Sequence, residues 1–201
     1  MDNYATMLDA ARQHFLEYDI GLLTARNGVT DRSEYLHTRF FAEEVLIHKR
    51  TGHITVSGRE AAFAEGLSIY DWLCDRKADA VAAEEFCTVN SLPGVLVSGS
   101  GLMMRAPRLA VMIDAAPETF QKCCVALEGT AVPFGDLGFR LPVFPDLPMV
   151  LKFYFGDGEF APTMTFLWDR NILRFIRYET VYYIAGCLER RLRQMMSGEI
   201  A

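Results

Sequence analysis

The chain predicts an α+β fold: a small antiparallel β meander and a second antiparallel hairpin region, packed with amphipathic helices. Three observations carry this expectation. Apolar residues recur at helical spacing in segments that frame the chain, whereas β-branched and aromatic residues gather into short runs in two separate stretches, 37–56 and 138–168. The third is bulk: 201 residues, 51% hydrophobic and 12% aromatic, suffice for a sizeable core in one domain or two closely joined lobes.

Tyr4, Met7, Leu8, Ala11, Phe15 and Tyr18 form an apolar stripe with Asp2 or Asn3 as a cap, so an amphipathic helix opens the chain. "GLLTARNG" is a second short helical piece ending at Asn27–Gly28. "HTRFFAEEVLIHKRTGHITV" then supplies strands near 37–41, 44–48 and 53–56, broken by Ala-Glu-Glu and Lys-Arg-Thr-Gly. Ser57 and Glu60 have the spacing of a capping box, in which the serine oxygen takes an amide of the first turn and the glutamate reaches back to the cap. Phe63, Leu67, Tyr70, Leu73 and Cys74 are the buried stripe of the helix expected after them, with Gly66 inside it.

A short strand is expected near Phe86–Val89, and "SLPG" breaks it. "VLVSGSGLMMRA" reads as a flexible join, so the chain is read as one α+β domain with any lobe boundary near 94–106. Pro107 and Pro117 open helices near 107–115 and 117–128, the second closed by Gly129. "GFRLPVF" is a proline-interrupted, edge-like strand, and "MVLKFYF" and "TMTFLW" are the most strand-like runs of all. Met149, Leu151, Phe153 and Phe155 share one face of the first, and Met164, Phe166 and Trp168 one face of the second, which turns the Trp168 ring into the core. The final helix, 178–196, turns Val181, Ile184, Ala185, Leu188 and Leu192 inward and carries Arg190, Arg191 and Arg193 towards its C-terminus.

Twenty basic against 26 acidic residues give a formal charge of −6, which disfavours nucleic acid as a partner because phosphate binding needs a concentrated positive face. The N-terminus lacks the basic start and apolar stretch of a secretory signal, and no run is long and uncharged enough to span a bilayer, so a cytoplasmic protein with no membrane association is expected. Cys74, Cys87, Cys123, Cys124 and Cys187 are odd in number and lack C-x-x-C spacing, as expected of buried thiols in a reducing compartment. No metal, iron–sulfur cluster or other cofactor is predicted.

"LSIYDWLCDRKADAVAAEEFCTVNSLPG", "ALEGTAVPFGDLGFRLPVFPDLPMVLKFYFGDGEFAPTMTFLWD" and "YETVYYIAGCLERRL" resemble, in order and spacing, the bacterial family catalogued as domain of unknown function 3786. The resemblance runs from about residue 4 to about residue 193. It implies a single α+β domain and a setting in anaerobes, in one-carbon or cofactor metabolism. Some longer relatives, the resemblance implies, set such a domain beside a four-cysteine iron–sulfur module; this chain has no such module, and no electron-transfer role carries over.

Candidate chemistry begins at "FGDGEF", where Asp157 and Glu159 stand between glycines at the join of the two strongest strands. Paired carboxylates serve as acid and base or hold a hard cation, but glycine-flanked acids are also what a tight, solvated connection requires, and the calcium-loop pattern is absent. A hairpin tip with ordinary carboxylate pKa values is expected. Asp169 is placed to cap the segment after it; Arg170, Arg174 and Arg177 would align on one face of a helix and offer an anion site. His37, His48 and His53 gather around the first meander without the spacing of a zinc set, and "VLVSGSGLMMR" lacks the lysine and glycine pattern of a phosphate loop.

The first expectation for function is a non-catalytic ligand-binding or accessory domain whose contacts are Tyr154, Trp168, Asp169, Tyr178 and Glu179, aromatics walling a pocket and carboxylates orienting a ligand. A small enzyme using Asp169 with Glu179, or Asp157 with Glu159, as acid and base is the second. The third is an interaction module with an exposed aromatic surface. The partner is thus a small molecule or a protein, with a homo-oligomer left open.

Overall fold

The computed structural model describes residues 3–95 and 106–200. The expected lobe boundary and the glycine-rich run that resembles a phosphate loop lie almost wholly outside them. The described residues form six helices and two antiparallel sheets of five strands each, so the α+β class holds.

Helix α1 (Asn3–Leu16) and the short α2 (Ile20–Thr24) precede the first sheet; Asp19 caps α2 by accepting the Gly21 amide at 2.7 Å. Strands β1 (Thr30–Arg32), β2 (Tyr35–Phe40), β3 (Glu43–His48), β4 (Ile54–Val56) and β5 (Arg59–Glu60) come next as a simple meander. Alternation decides its faces: Leu36, Thr38 and Phe40 of β2, Val45 and Ile47 of β3, and Ile54 and Val56 of β4 are all buried. The turn from β2 to β3 is made by Phe41 and Ala42, both at positive φ (47° and 65°). Phe41 is held there because its ring is buried and its amide donates to the Val143 carbonyl at 3.0 Å.

Ser57 corrects an expectation. Val56 pairs with Arg59, which makes Ser57 and Gly58 the two-residue turn of a hairpin, with φ of 48° and 78°. The next helix, α3 (Phe63–Cys74), starts later, with Ala62 as its cap residue, and Glu65 accepts the Ala62 amide at 2.8 Å. The reaching-back half of a capping box is present, but it belongs to Glu65. Gly66 lets α1 approach: a Cβ there would stand 3.0 Å from Leu8 Cδ1.

Beyond β6 (Phe86–Cys87) and a 3-10 turn at Val89–Ser91, α4 (Pro107–Ala115) and α5 (Pro117–Ala126) each begin at their proline. The second sheet adds β7 (Thr130–Ala131), β8 (Leu137–Phe144), β9 (Leu147–Tyr154) and β10 (Thr163–Asp169) in the order β6-β10-β9-β8-β7. Cross-strand rows Leu141, Met149, Trp168 and Phe139, Leu151, Phe166 build its inner face. Phe155, expected to extend the face begun by Met149, lies past the end of β9 and is 41% exposed. Pro142 is tolerated because β7 pairs only with Phe139 and Arg140, so β8 has β9 as its one sheet neighbour there, and a bulge comes directly after it.

The sheets meet directly, β2 against β8, where the Phe41 amide reaches Val143 and the Phe40 and Phe144 rings pack with centroids 5.1 Å apart, and α3 adds to the junction. Trp72 stacks on Phe144 with ring centroids 4.5 Å apart, and its Nε1 donates to Asp146 at 3.1 Å, which also pairs with Arg76 at 2.6 Å. One hydrophobic cluster runs from Phe15 through both sheets to α6 (Tyr178–Met196), which packs against α3 and α5. Among the described residues, no helix is long and apolar enough to cross a membrane.

Candidate functional site

Asp71 interrupts the most apolar helix of the chain, and its position requires an explanation. Its side chain is fully buried. It is satisfied from outside α3: Arg177, the residue preceding α6, donates its backbone N–H at 2.8 Å and its guanidinium Nε, and the Thr180 hydroxyl donates as well. Asp71 therefore caps the N-terminus of α6 from a neighbouring helix, where the helix dipole also favours a negative charge.

Asp75 lies one turn further along the same face of α3. Its Oδ2 pairs with Arg177 Nη2 at 2.6 Å, its Oδ1 lies 3.8 Å from His14 Nε2 on α1, and it hydrogen-bonds to Asp71. Burial opposes ionisation of Asp71, but hydrogen bonds from Asp75, Thr180 and Arg177 outweigh it and hold that carboxyl below its ordinary pKa. Burial raises Asp75, and its hydrogen bond to the Asp71 carboxylate raises it further, to about 6 against the attraction of Arg177. The two titrate as a pair, with the proton resident on the more open member.

A cleft of about 510 Å³ opens beside this pair, between α1, α3 and the start of α6. Its walls are largely apolar, from Met7, Ala11 and Leu67, and its polar end is formed by His14, Asp75, Arg177 and Glu179. Cys74 also lines it, but burial pushes that thiol up to about 12, which leaves no thiolate for nucleophilic chemistry at neutral pH. A second cleft of about 410 Å³ holds Arg59, Arg190 and Arg191, but Arg59 forks onto Glu65 and Arg191 pairs with Glu43. Most of its charge is spent internally.

The five contacts expected from the sequence do not converge. Tyr154 pairs with Thr163 at one end of β10 and has Lys152 Nζ 4.8 Å above its ring, whereas Trp168 lies five residues along that strand, roughly 16 Å away. Trp168 is fully buried, and its Nε1 has no hydrogen-bond partner among the described residues. Asp169, also buried, accepts the backbone amides of Ala83 (3.0 Å), Glu84 (2.8 Å) and Asn171 (2.8 Å), so both its oxygens bind the segment before β6. The Tyr178 hydroxyl shares a 2.7 Å hydrogen bond with Tyr182. Glu179 alone of the five lines the large cleft.

Other expectations are corrected. No helix aligns the three arginines: β10 ends at Asp169 and a 3-10 turn spans Ile172–Arg174, and Arg170, Arg174 and Arg177 pair with Glu85, Asp79 and the Asp71–Asp75 pair respectively. Asp157 forms the hairpin tip, yet its Oδ1 accepts the amides of Phe160 (2.8 Å) and Glu159 (3.0 Å), which hold its carboxyl below the ordinary range. His37 pairs with Glu44 at 3.0 Å, and His48 Nδ1 accepts the Arg50 and Thr51 amides of its own turn. Among the described residues, no three His, Cys, Asp or Glu side chains are grouped to hold a metal.

Sequence reasoning passed over Asp71, Asp75 and His14. A signal existed: "YDWLCD" sets two aspartates four apart on a helix whose other residues are nearly all apolar. An acid in that position must find partners elsewhere in the fold.

Neither a curated protein nor a solved structure gave a significant match to the chain. The family model described as Domain of unknown function (DUF3786) matches residues 19–191, which takes in all of the cleft except what α1 contributes, and the chain belongs to that family.

Proposed function

We propose that the protein is a non-catalytic ligand-binding or accessory domain whose ligand is a small molecule seated between α1, α3 and the start of α6. One observation carries this: an apolar cleft of about 510 Å³ ends in a few convergent polar groups. Such a site takes affinity from apolar contact and orientation from its polar end. Glu179 of the expected contacts belongs to this site, with Tyr178 beside it in the first turn of α6. Tyr154, Trp168 and Asp169 would act from elsewhere, Tyr154 as one of three exposed aromatics near this hairpin end, with Phe155 and Phe160, that suit a protein partner or a second copy of the chain.

A second reading, an enzyme with a carboxylate acid/base pair, is favoured by the hydrogen-bonded Asp71 and Asp75, whose pKa values are pushed in opposite directions. Asp75 would be the group that meets substrate, because Asp71 is sealed from the cleft. A cytoplasmic location is supported by the five free cysteines, four of them buried. A bacterial, anaerobic setting in cofactor or one-carbon metabolism is an expectation of the family resemblance. The continuous core supports one domain.

Ligand-observed NMR with a mixed set of small amines, alcohols and acids tests the cleft. Ala10→Trp, at an exposed α1 position that lines it, should abolish binding while the protein stays folded. Binding that survives the tryptophan removes the cleft from consideration.

A further inference from the structure

Given the cleft as the ligand site, we infer that its ligand is an organic amine: a protonated nitrogen on an apolar, aromatic-sized body. Two carboxylates, Asp75 and Glu179, line the polar end beside Arg177 and His14, while a third, the buried Asp71, holds Arg177 from behind. Arg177 spends its charge on Asp71 and Asp75 together. Glu179 has no ion-pair partner among the described residues and is exposed at the rim.

The acceptors point the same way. Asp75 Oδ2 pairs with Arg177 and the side chain hydrogen-bonds to Asp71, but His14 Nε2 stands 3.8 Å from Oδ1, beyond hydrogen-bond length, so that imidazole does not close the carboxyl off from the cleft. An ammonium placed between Asp75 and Glu179 would gain charge-assisted hydrogen bonds from both. Tyr183, also lining the cleft, adds an aromatic wall that favours a cation. A carboxylate or phosphate ligand would meet the opposite balance: the Arg177 guanidinium is already matched by Asp71 and Asp75, His14 stands beside Asp75, and the carboxylates of Asp75 and Glu179 face it. The apolar part of the ligand would lie along Met7, Ala11 and Leu67.

Tryptamine, tryptophol and indole-3-acetate share a ring and nearly a shape while carrying a positive, a neutral and a negative end. Calorimetric or NMR titration at pH 7.5 and low salt should find tryptamine bound at least tenfold more tightly than either of the others. Glu179→Gln, at an exposed position that leaves the fold intact, should reduce that preference severalfold, and Ala10→Trp should remove binding of all three. Equal binding of the three probes, or a preference for indole-3-acetate, overturns the amine inference and leaves the cleft as a ligand site. Binding of none of them, or binding that Ala10→Trp leaves unchanged, overturns the cleft as well.

Discussion

Four aspartates differ in role because their oxygens meet different partners. Asp157 holds the amides of its own turn, Asp169 binds a distant segment, Asp71 caps a helix on another element, and Asp75 joins Arg177 and Asp71 at the edge of the cleft. Replacing Asp157 and Glu159 together by Asn and Gln should leave the thermal midpoint and any binding in the cleft unchanged, because an asparagine oxygen accepts the same two amides. Asp157→Ala should instead speed amide hydrogen exchange at Glu159 and Phe160, and equal exchange in the Asn and Ala variants would count against the turn's dependence on that oxygen. Trp168 offers the contrast, since it fills the core row beside Met149 and Leu141. Trp168→Ala should cost about 3–5 kcal/mol by chemical denaturation, as for other truncations of buried aromatics.

At the scale of the element, the start of α3 shows how a correct helix can be given the wrong cap. Glu65 takes the Ala62 amide and forks onto Arg59, so it ties the helix to the edge strand β5 as well as closing its first turn. Ser57 sits in a hairpin turn at positive φ and caps nothing. Glu65→Ala should therefore lower stability by about 0.5–2 kcal/mol, the usual value of an N-terminal capping interaction. Ser57→Ala should change the denaturation midpoint far less, and a larger loss from Ser57 than from Glu65 would reverse the assignment. Ser57 and Glu60 satisfied a spacing rule, whereas two-residue turn geometry, set by the pairing of Val56 with Arg59, claimed those residues first.

Across the whole molecule, the Asp71–Asp75 pair joins α1, α3 and α6, so its titration should register in global stability. Asp75 is raised in the folded state to about 6. Its contribution is fully present below the unfolded value of about 4 and is lost as pH rises through about 6. Asp71 is lowered and behaves oppositely: its contribution is present above about pH 4 and is lost as pH falls through its folded value. Asp75→Asn supplies a hydrogen-bond donor to Asp71 at every pH. The stability of the wild type relative to this variant should then be greater at pH 5 than at pH 7.5, and an identical difference at both would separate Asp75 from the pair. Asp71→Ala, which strands a backbone amide and a hydroxyl, should lose about 1–3 kcal/mol.

Much of the fold was determined by the chain on its own. Strand alternation put Met149, Leu151 and Phe153 on one face of their strand and Met164, Phe166 and Trp168 on one face of theirs, prolines at 107 and 117 opened their helices, and two separated β regions became two sheets. Those signals are local, resting on periodicity and backbone preference within a few residues. Partnership is not local, and only the tertiary structure decided it. Asp71 and Arg177 are 106 residues apart, and Asp169 meets Ala83 across 86. Nothing in either segment records the other, because a buried carboxylate requires donors but not from any particular place in the chain. The cleft obeys the same rule: it exists where the N-terminal helix crosses two later ones, so its chemistry became legible only when packing brought His14, Asp75 and Glu179 to one wall.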